Sequence, residues 1–276
     1  MSTIRSIIKY PGSKRLMINT LFKHLPRAGE ALCEPMVGSA TVALNTDYKH
    51  YFLNDANADL IELYKLCVAN PEVLIKEACK LFRPENNNEL RFELLKAHYN
   101  QCEDIQERAL LLFYLGRHGF NGLIRYSKRT GFNVPFGDGK PVYMPEKEIY
   151  TFADKLKHAH FFSMDFEDFI QHVTRLKHAD KPNLYIDPPY LDNLEGKKSF
   201  VNYTAEGFDL KDHIRINNTL VIYRDEFERI LVSNHKSHDL KQAYSGLQRT
   251  VMFRVPRTIS SNIKTRKPVR EVLMYY

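Results

Sequence analysis

The sequence is poor in cysteine and contains no long apolar run. Its four cysteines, Cys33, Cys67, Cys79 and Cys102, form no closely spaced pair and have no histidine cluster beside them. A zinc site or a disulfide framework is therefore not expected. A membrane-spanning helix needs about 20 consecutive apolar residues, and the N-terminal residues lack the apolar core and cleavage site of a signal peptide. We expect a soluble cytoplasmic protein that binds neither a metal nor a membrane.

Acidic residues are missing from two long windows of the chain. No Asp or Glu lies between Glu107 and Asp138 or between Leu240 and Arg270. The chain carries 40 Lys and Arg against 33 Asp and Glu, which by itself points only weakly to a polyanionic partner. The first window also mixes its cations with aromatic residues, amides and glycine turns, and a hairpin is predicted near residues 129–131. This mixture favours a nucleic-acid surface over the alternative, a solvated basic loop.

Acidic residues occur instead at the ends of short apolar segments. Three β-prone segments end in Glu34, Asp55 and Asp187, and a fourth ends in Asp165. Ligands bind at the carboxyl ends of strands in open α/β sheets, so these acids together predict one pocket along one sheet edge. Asp55 follows the second strand, where an acid commonly binds ribose hydroxyls. Each acid taken alone is also explained as a helix cap.

Two glycine-bearing turns accompany this predicted pocket. Gly12, Ser13 and Lys14 precede a predicted helix at residues 15–25, and they offer backbone N–H groups and a cation to an anionic ligand. A simple turn with Ser13 near the N-cap is an equally good interpretation. Gly38 turns the chain after Glu34 into a predicted helix at residues 40–45 and allows a ligand to approach the backbone closely.

The order of the segments predicts an α/β fold with an inserted helical part. Residues 57–118 read as consecutive helices between strand-rich regions, which is typical of a separate helical subdomain. Residues 209–227 read as mostly helical, with a strand at 219–223 left open, and a buried strand is predicted at 230–234. Residues 248–276 are predicted to form two strands around a basic loop, and residues 191–204 a polar loop.

The segment Asp187-Pro188-Pro189-Tyr190 suits chemistry on an exocyclic amino group of a nucleobase. The lone pair of such a group is delocalised into the ring, which makes it a poor nucleophile. Asp187 and the carbonyl of Pro188 can accept its two N–H bonds, localise the lone pair and aim it. Tyr190 can stack on the base, which must leave the duplex to reach the pocket. An ordinary strand followed by a proline-rich turn is the competing interpretation.

On these residues the chain resembles the DNA adenine-N6 methyltransferases of the Dam type, in the alpha-class motif order. The matching segments are Lys9-Tyr10-Pro11-Gly12-Ser13-Lys14, Glu34-Pro35-Met36-Val37-Gly38, Asn54-Asp55 and Asp187-Pro188-Pro189-Tyr190. The resemblance implies a Rossmann-like, S-adenosylmethionine-dependent methyltransferase fold with a mixed, mostly parallel sheet. It implies a catalytic domain at residues 1–56 and 145–276, and an inserted, mainly helical target recognition domain at 57–144.

The pattern and the resemblance together assign the site residues. The expected catalytic residues are Asp187, Pro188, Pro189 and Tyr190. The expected residues for S-adenosyl-L-methionine are Tyr10, Gly12, Lys14, Glu34, Gly38, Asp55, Asp165 and Asp187. The expected DNA-binding residues are Lys9, Arg117, Phe120, Asn121, Leu123, Arg125, Asn133 and Pro135.

The DNA roles are implied by the likeness of residues 117–126 to the segment that reads GATC in this family. Phe120 would wedge into the duplex, Leu123 and Arg125 would read outer bases, and Lys9 would contact the first guanine. A guanine edge suits the two donors of Arg125. The likeness extends to residues 133–137 and to Ser260, Ser261, Asn262, Thr265, Arg266 and Lys267. Two residues depart from the family pattern: Phe120 replaces a familiar tyrosine, and Asp138 stands where arginine is frequent, so that Lys140 would have to supply its contact.

The sequence therefore predicts a monomeric enzyme of a bacterial or phage-infected cell that methylates N6 of a flipped-out adenine in double-stranded DNA, within GATC. The tetrapeptide alone does not separate adenine-N6 from cytosine-N4 methylation or from an RNA substrate. A basic DNA-binding protein on a relic methyltransferase fold is the alternative from another functional class.

Overall fold

A computed structural model describes residues 3–10, 12–176, 180–190, 207–237, 240–255 and 269–276. The strands of these ranges are β1 (Ala28–Glu34), β2 (Asp47–Asn54), β3 (Tyr126–Ser127), β4 (Gly131–Phe132), β5 (Ala159–Phe162), β6 (Asn183–Ile186), β7 (Arg229–His235), β8 (Arg249–Val255) and β9 (Val269–Tyr275). The α-helices are α1 (Ile18–Leu21), α2 (Thr41–Leu44), α3 (Ala58–Ala69), α4 (Pro71–Leu81), α5 (Glu89–Gln101), α6 (Ile105–His118), α7 (Glu146–Lys155), α8 (Phe166–Thr174), α9 (Leu210–Tyr223) and α10 (Leu240–Ala243).

Seven of these strands form one sheet in the order β5-β2-β1-β6-β7-β9-β8. The five strands from β5 to β7 are parallel, whereas β9 runs antiparallel between β7 and β8. The predicted mixed, mostly parallel sheet is confirmed. The chain proceeds from β1 outward to β2 and β5, then crosses to β6 and β7 on the other side of β1. This reversal opens a crevice at the carboxyl ends of β1 and β6, where α/β sheets bind ligands.

Helices cover both faces of the sheet, so its central strands are apolar on both sides. Alternate strand residues enter two separate cores because successive side chains point to opposite faces. Leu32 and Tyr185 join the core that lies against the helices of residues 58–155. Cys33 and Leu184 join the core on the opposite face, which is closed by helices α8, α9 and α10.

The helical region of residues 57–118 folds as the sequence predicts. Asn57, Asn70, Asn88 and Asp104 cap α3, α4, α5 and α6 by accepting backbone N–H bonds, which satisfies donors that the first helical turn leaves unpaired. These helices share one continuous core with a face of the sheet. The division into domains at residues 57 and 144 is thus not marked by separate cores, and it stays a prediction.

One local prediction is wrong, and one alternative that the sequence left open is decided. Residues 15–25 do not form one helix, because Met17 leaves the helical region (φ −108°, ψ 3°) between a 3₁₀ turn at Lys14–Leu16 and the short α1. Residues 219–223 are helical, as the end of α9, whose start is stabilised by a capping box between Asp209 and Asp212.

No helix in the described ranges is long and apolar enough to cross a membrane. The two strands predicted within residues 248–276 are β8 and β9; residues 256–268 between them and the loop predicted at 191–204 lie outside the described residues.

Candidate active site

Asp187 directly follows β6, at the point where the strand order reverses. Its carboxylate is held from two sides: Ser233 Oγ on β7 donates to Oδ1 at 2.7 Å, and Lys14 Nζ lies 2.5 Å from Oδ2. Tyr185 on β6 supports Ser233 through a 3.0 Å hydroxyl contact. Lys14 is only 5% exposed, so the ion pair has little solvent to compete with it. The orientation of the Asp187 carboxylate is thus set by residues distant in sequence.

The two prolines that follow present their carbonyl groups differently. The carbonyl oxygen of Pro189 lies 3.0 Å from Nε2 of His213, on α9. Within the ranges that the structure describes, no donor is bonded to the carbonyl oxygen of Pro188. The turn therefore places one available carbonyl acceptor directly beside the anchored carboxylate of Asp187.

Tyr190 completes the turn with its hydroxyl bound on two sides. It donates to Oε2 of the buried Glu271 on β9 at 2.7 Å and accepts from Lys14 Nζ at 2.9 Å. The ring lies edge-on to His235, with centroids 5.0 Å apart. Burial and the charges of Asp187 and Glu271 raise the pKa of Tyr190 well above its usual value. The phenol stays protonated, and its ring is held in a defined orientation.

The N-terminal motif folds onto this turn. Lys14 Nζ also donates to the carbonyl of Gly12 at 3.1 Å, so one ammonium group links Gly12, Asp187 and Tyr190. The ring of Tyr10 lies on Gly38, where a Cβ atom would approach it to 3.3 Å. Gly38 also has φ +46°, a conformation that costs a side-chain-bearing residue energy. These contacts join three of the four predicted motif segments, and the bond from the N–H of Gly38 to Asp55 joins the fourth.

Glu34 and Asp55 stand at the ends of the neighbouring strands β1 and β2. Glu34 is 3% exposed, and its Oε1 has no hydrogen-bond partner among the described residues. Burial, together with the charge of Asp187, raises the pKa of Glu34 to about 8. Asp55 accepts the backbone N–H groups of Gly38 and Asn57 at 2.9 and 3.0 Å, and burial raises its pKa. The Oε1 atom of Glu34 is thus open to a donor from a bound ligand.

Asp165 follows β5 and serves as the N-cap of α8. Its Oδ1 accepts the backbone N–H of Glu167 at 2.9 Å and a bond from Nη2 of Arg215 at 2.8 Å. These contacts do not connect it to the group around Asp187, so its cofactor role stays a prediction. Asn54 belongs to a matching motif segment but was assigned no site role; its amide donates to the carbonyls of Pro35 and Met164 at 2.8 and 3.0 Å. It holds the ends of β1, β2 and β5 together.

Other residues that position the turn had weak or no sequence signals. Ser233 is the first polar residue after the apolar run at 230–232 of the predicted strand, so a rule that looks for polar residues at the end of an apolar run would have found it. His213 and Glu271 lie inside a helix and a strand, and no local pattern connects either of them with Asp187. Only the packing of α9 and β9 against the turn shows their roles.

Part of the predicted DNA-binding set forms one surface. The aliphatic stem of Lys9 covers Gly122, where an added Cβ would lie 2.5 Å from Lys9 Cδ. Beside it, Asn121 adopts a left-handed conformation (φ 55°) that presents Phe120 to solvent, 46% exposed. The backbone N–H of Phe120 is bonded to the carbonyl of Pro135 at 2.9 Å. The structure thus groups the predicted wedge with three other predicted DNA contacts.

The hairpin predicted near residues 129–131 is confirmed as β3 and β4. At its base Arg125 donates from Nε to Asn133 Oδ1 at 2.7 Å and from Nη2 to the Asn133 carbonyl at 3.1 Å. Leu123 is half-buried just before it, while Lys128 and Arg129 at the tip are exposed. We call the surface formed by Lys9, Phe120, Asn121, Leu123, Arg125, Asn133 and Pro135 the reading surface.

Two further sequence assignments meet a different environment, and a third falls outside the described residues. The guanidinium of Arg117 donates to the carbonyls of Ile7 and Tyr143 at 3.4 and 2.6 Å, so it is bonded to the protein itself and its DNA role stays a prediction. Asp138 forms an exposed ion pair with Lys140, at 2.6 Å. Residues 260–267, which belong to the resemblance, lie outside the described residues.

One group of possible metal ligands occurs among the described residues. His98, Cys102 and Glu107 meet at the turn between α5 and α6. Hydrogen bonds already join them: His98 Nε2 lies 2.8 Å from Glu107 Oε1, and Cys102 Sγ donates to Glu107 Oε2 at 3.4 Å. The group belongs to the helical region and is not part of the active site.

Comparison with known proteins decides the family. Residues 10–258 match a family described as D12 class N6 adenine-specific DNA methyltransferase. The chain belongs to this family. It is also similar to three proteins named DNA adenine methylase: 36% identical to that of Escherichia coli (strain K12) over 276 residues, 37% to that of Vibrio cholerae serotype O1 (strain ATCC 39315 / El Tor Inaba N16961) over 279, and 36% to that of Salmonella typhi over 277. These alignments cover 100% of this chain and 96–97% of each relative.

Membership settles the class of reaction. This D12-class protein is an enzyme that methylates adenine in DNA at N6, and it requires a methyl donor. The predicted family, fold and activity are confirmed, and adenine rather than cytosine is the target base. An RNA substrate and a non-catalytic DNA-binding role are correspondingly disfavoured.

Proposed function

We propose that this D12-class enzyme transfers a methyl group from S-adenosyl-L-methionine to N6 of an adenine flipped out of double-stranded DNA, within the sequence GATC. The observation that carries the proposal is the pair of acceptors at the switch point of the sheet. The carboxylate of Asp187 is anchored there, and the carbonyl of Pro188 beside it has no donor among the described residues.

The pair of acceptors activates the amine. The two N6 hydrogens are donated to the Asp187 carboxylate and the Pro188 carbonyl, which draws the nitrogen lone pair out of conjugation with the ring. Although Oδ2 of Asp187 already contacts Lys14, each carboxylate oxygen has a further acceptor position. The proline rings restrict the turn, so the acceptors need little reorganisation when the base binds. Tyr190 stacks on the extruded adenine.

The residues at the strand ends fit the proposed methyl donor. S-adenosylmethionine supplies an electrophilic methyl group on a sulfonium centre. The unpartnered Oε1 of Glu34 suits its ammonium group, and the carboxylate of Asp55 suits ribose hydroxyls. Tyr10, Gly12 and Gly38 would line the same crevice through ring and backbone contacts, while Asp165 would contact the adenine ring of the donor.

The reading surface would bind the duplex. Phe120 would fill the space left by the extruded base, and Lys9 and Asn121 lie next to it. Arg125, held at the base of the hairpin by Asn133, would donate to O6 and N7 of an outer guanine, with Leu123 at the adjoining base. We propose that Arg117 and Pro135 support this surface. Arg117 does so through its bonds to the carbonyls of Ile7 and Tyr143, and Pro135 through the bond that its carbonyl accepts from the N–H of Phe120. The enzyme would act as a monomer in the cytoplasm, where bacterial DNA lies.

Methyl transfer from tritiated S-adenosylmethionine tests the proposal. We expect label in duplexes that contain GATC and none in matched duplexes with a single altered base pair. Equal labelling of both duplexes would refute the sequence specificity. Absence of label from both would refute the proposed donor or the competence of the pocket.

A further inference from the structure

We call Asp187–Tyr190 the catalytic turn. His213 is a buried histidine that contacts this turn without belonging to it. It lies in the first turn of α9 and is 0% exposed. Its Nε2 is 3.0 Å from the carbonyl oxygen of Pro189, and its Nδ1 is 2.7 Å from the hydroxyl of Tyr244. Phe208 closes another side, edge-on, with ring centroids 5.0 Å apart. Both ring nitrogens are therefore occupied by specific partners.

The partners determine the protonation state of the ring. A carbonyl oxygen only accepts hydrogen bonds, so Nε2 must carry a proton. Burial lowers the pKa of His213 to about 4, so the ring is neutral near pH 7 and Nδ1 is an acceptor. The hydroxyl of Tyr244, itself 4% exposed, must then donate to Nδ1. The chain Tyr244–His213–Pro189 thus has one direction of donation.

The group that binds the carbonyl of Pro189 affects how the turn is oriented. The rings of Pro188 and Pro189 fix φ at both residues, which leaves their two ψ torsions as the soft variables. Asp187 is tied upstream by Ser233, and Pro189 is tied downstream by His213. Holding both ends restricts rotation of the peptide between them, which carries the carbonyl of Pro188.

We infer that His213 is a positioning residue for methyl transfer: it donates to the Pro189 carbonyl and so aims the Pro188 carbonyl at the target amine, with Tyr244 holding the ring in its donating tautomer. This inference rests on the proposed role of the Pro188 carbonyl. It assigns a kinetic function to two residues that touch neither DNA nor donor in the proposed complex.

The same helix offers a matched control for Tyr244. Asn217 lies one turn beyond His213 on α9. Its Oδ1 accepts a hydrogen bond from the hydroxyl of the buried Tyr276 at 2.7 Å. Tyr244→Phe and Tyr276→Phe each remove one buried tyrosine hydroxyl bonded to α9. Only the first removes a partner of His213, so a difference between the two variants separates positioning from general stability.

The experiment compares these two variants with His213→Gln and His213→Leu in single-turnover methyl transfer, alongside binding constants for DNA and donor and thermal unfolding. Gln can place an amide donor near the position of Nε2, whereas Leu leaves the Pro189 carbonyl without its partner. Since a misplacement of about 1 Å costs about 100-fold in rate, we expect a loss of that size for His213→Leu. We expect a loss of only a few-fold for His213→Gln, and unchanged binding constants in both.

Both tyrosine variants should lower the melting temperature by a similar amount. Tyr244→Phe should slow methyl transfer more than Tyr276→Phe does. A folded His213→Leu variant with the wild-type rate would overturn the inference, as would equal rates for the two tyrosine variants. If His213→Leu does not fold, His213→Gln and the tyrosine pair decide the question.

A spectroscopic measurement separates this inference from the proposed function. Long-range ¹H–¹⁵N correlation of the histidine rings should show His213 as the neutral Nε2–H tautomer at neutral pH. A protonated ring or the Nδ1–H tautomer would overturn the inference whatever the enzyme methylates. The rate comparison uses any duplex that the wild type methylates, so failure of the GATC assignment leaves it intact. If the wild type methylates none, the proposed function fails and the tautomer alone decides the role of His213.

Discussion

The catalytic turn and the reading surface are built in opposite ways. Asp187 is anchored by Ser233 from a neighbouring strand and by Lys14 from the N-terminal segment, and Tyr190 is anchored by Glu271 from β9. Every one of these anchors comes from a distant part of the chain. Apart from Lys9, which packs on Gly122 from the N-terminal segment, the reading surface lies on short loops held by contacts that are closer in sequence, such as the pair Arg125 and Asn133.

The difference follows from what each region must do. An amine is activated only if its acceptors already stand in place, so the turn is buried and its torsions are restrained. In the proposed function a wedge residue must reach the duplex, which suits Phe120, 46% exposed beside a left-handed bend at Asn121. Loops on a rigid scaffold suit such a task. In the proposed function the sheet edge thus supplies reactivity and the loops supply specificity.

A direct connection nevertheless joins the two regions. Asn57 donates its backbone N–H to Asp55 at 3.0 Å and its side-chain amide to the hydroxyl of Tyr126 at 3.2 Å. Tyr126 belongs to the hairpin that carries the reading surface and also contacts the hydroxyl of Tyr99 at 2.7 Å. The hairpin is therefore fixed in position relative to the strand ends.

The largest effect should come from the catalytic turn. We expect Asp187→Ala to lower methyl transfer by about 1,000-fold or more, because a preorganised acceptor is lost. DNA affinity should change by less than about tenfold, because phosphate contacts supply most of it. Single-turnover methylation and equilibrium DNA binding check the two expectations. A variant that keeps near wild-type transfer would show that Asp187 does not orient the amine.

The next effect should come from the reading surface and should concern discrimination. Arg125→Ala should cost on the order of 1–3 kcal/mol of selectivity at one outer base pair, because a bidentate guanine contact is lost. Lys128→Ala, at the exposed hairpin tip, is the control: it should weaken binding to all sequences alike and reduce the salt dependence. The test is kcat/KM over all single-base variants of the site. An unchanged ranking for Arg125→Ala would remove it from base reading.

Glu34 offers a pH test that applies to the buried region alone. Its pKa in the folded protein is about 8, above the usual 4.5, so its contribution to stability is complete below pH 4.5 and is lost as the pH rises toward 8. We expect Glu34→Gln to flatten the fall in melting temperature over this range. The variant should also bind the methyl donor about tenfold or more weakly, because the ammonium group of the donor favours the ionised carboxylate and Gln cannot ionise.

The isosteric control for that test is Asp138→Asn on the exposed surface, which should leave the pH dependence of melting between pH 5 and pH 8 unchanged. Pairing with Lys140 lowers the pKa of Asp138, so it stays ionised throughout this range. An equal flattening in both variants would show that Glu34 is not the group responsible.

The smallest effect is expected from Asp138 itself. Its ion pair with Lys140 is exposed on both sides, and such pairs contribute little to stability. Asp138→Ala removes a negative charge near the reading surface and frees Lys140 for a phosphate. DNA binding should tighten a few-fold at low salt, and the gain should shrink as salt is added. Weaker binding by this variant would indicate that Asp138 itself contacts the DNA.

Much of the site could be predicted because its signals are local. An apolar run that stops at an acid marks a strand end, which located Glu34, Asp55 and Asp187. Glycine and polar residues located the hairpin at 129–131. The resemblance then supplied the chemistry of the tetrapeptide. The predicted helix at residues 15–25 failed because its apolar spacing was right while the backbone at Met17 leaves the helical region.

The remaining part depended on contacts between distant segments. The sequence by itself determined which residues end strands, which loops are basic and which tetrapeptide is proposed to carry the chemistry. Only the tertiary structure decided that Lys14 and Ser233 hold the carboxylate of Asp187 and that Arg117 bonds to backbone carbonyls. It likewise decided that His213 meets the Pro189 carbonyl. The reason is physical: propensity and periodicity act along neighbouring residues, whereas the partner of a buried polar group is selected by strand order and packing.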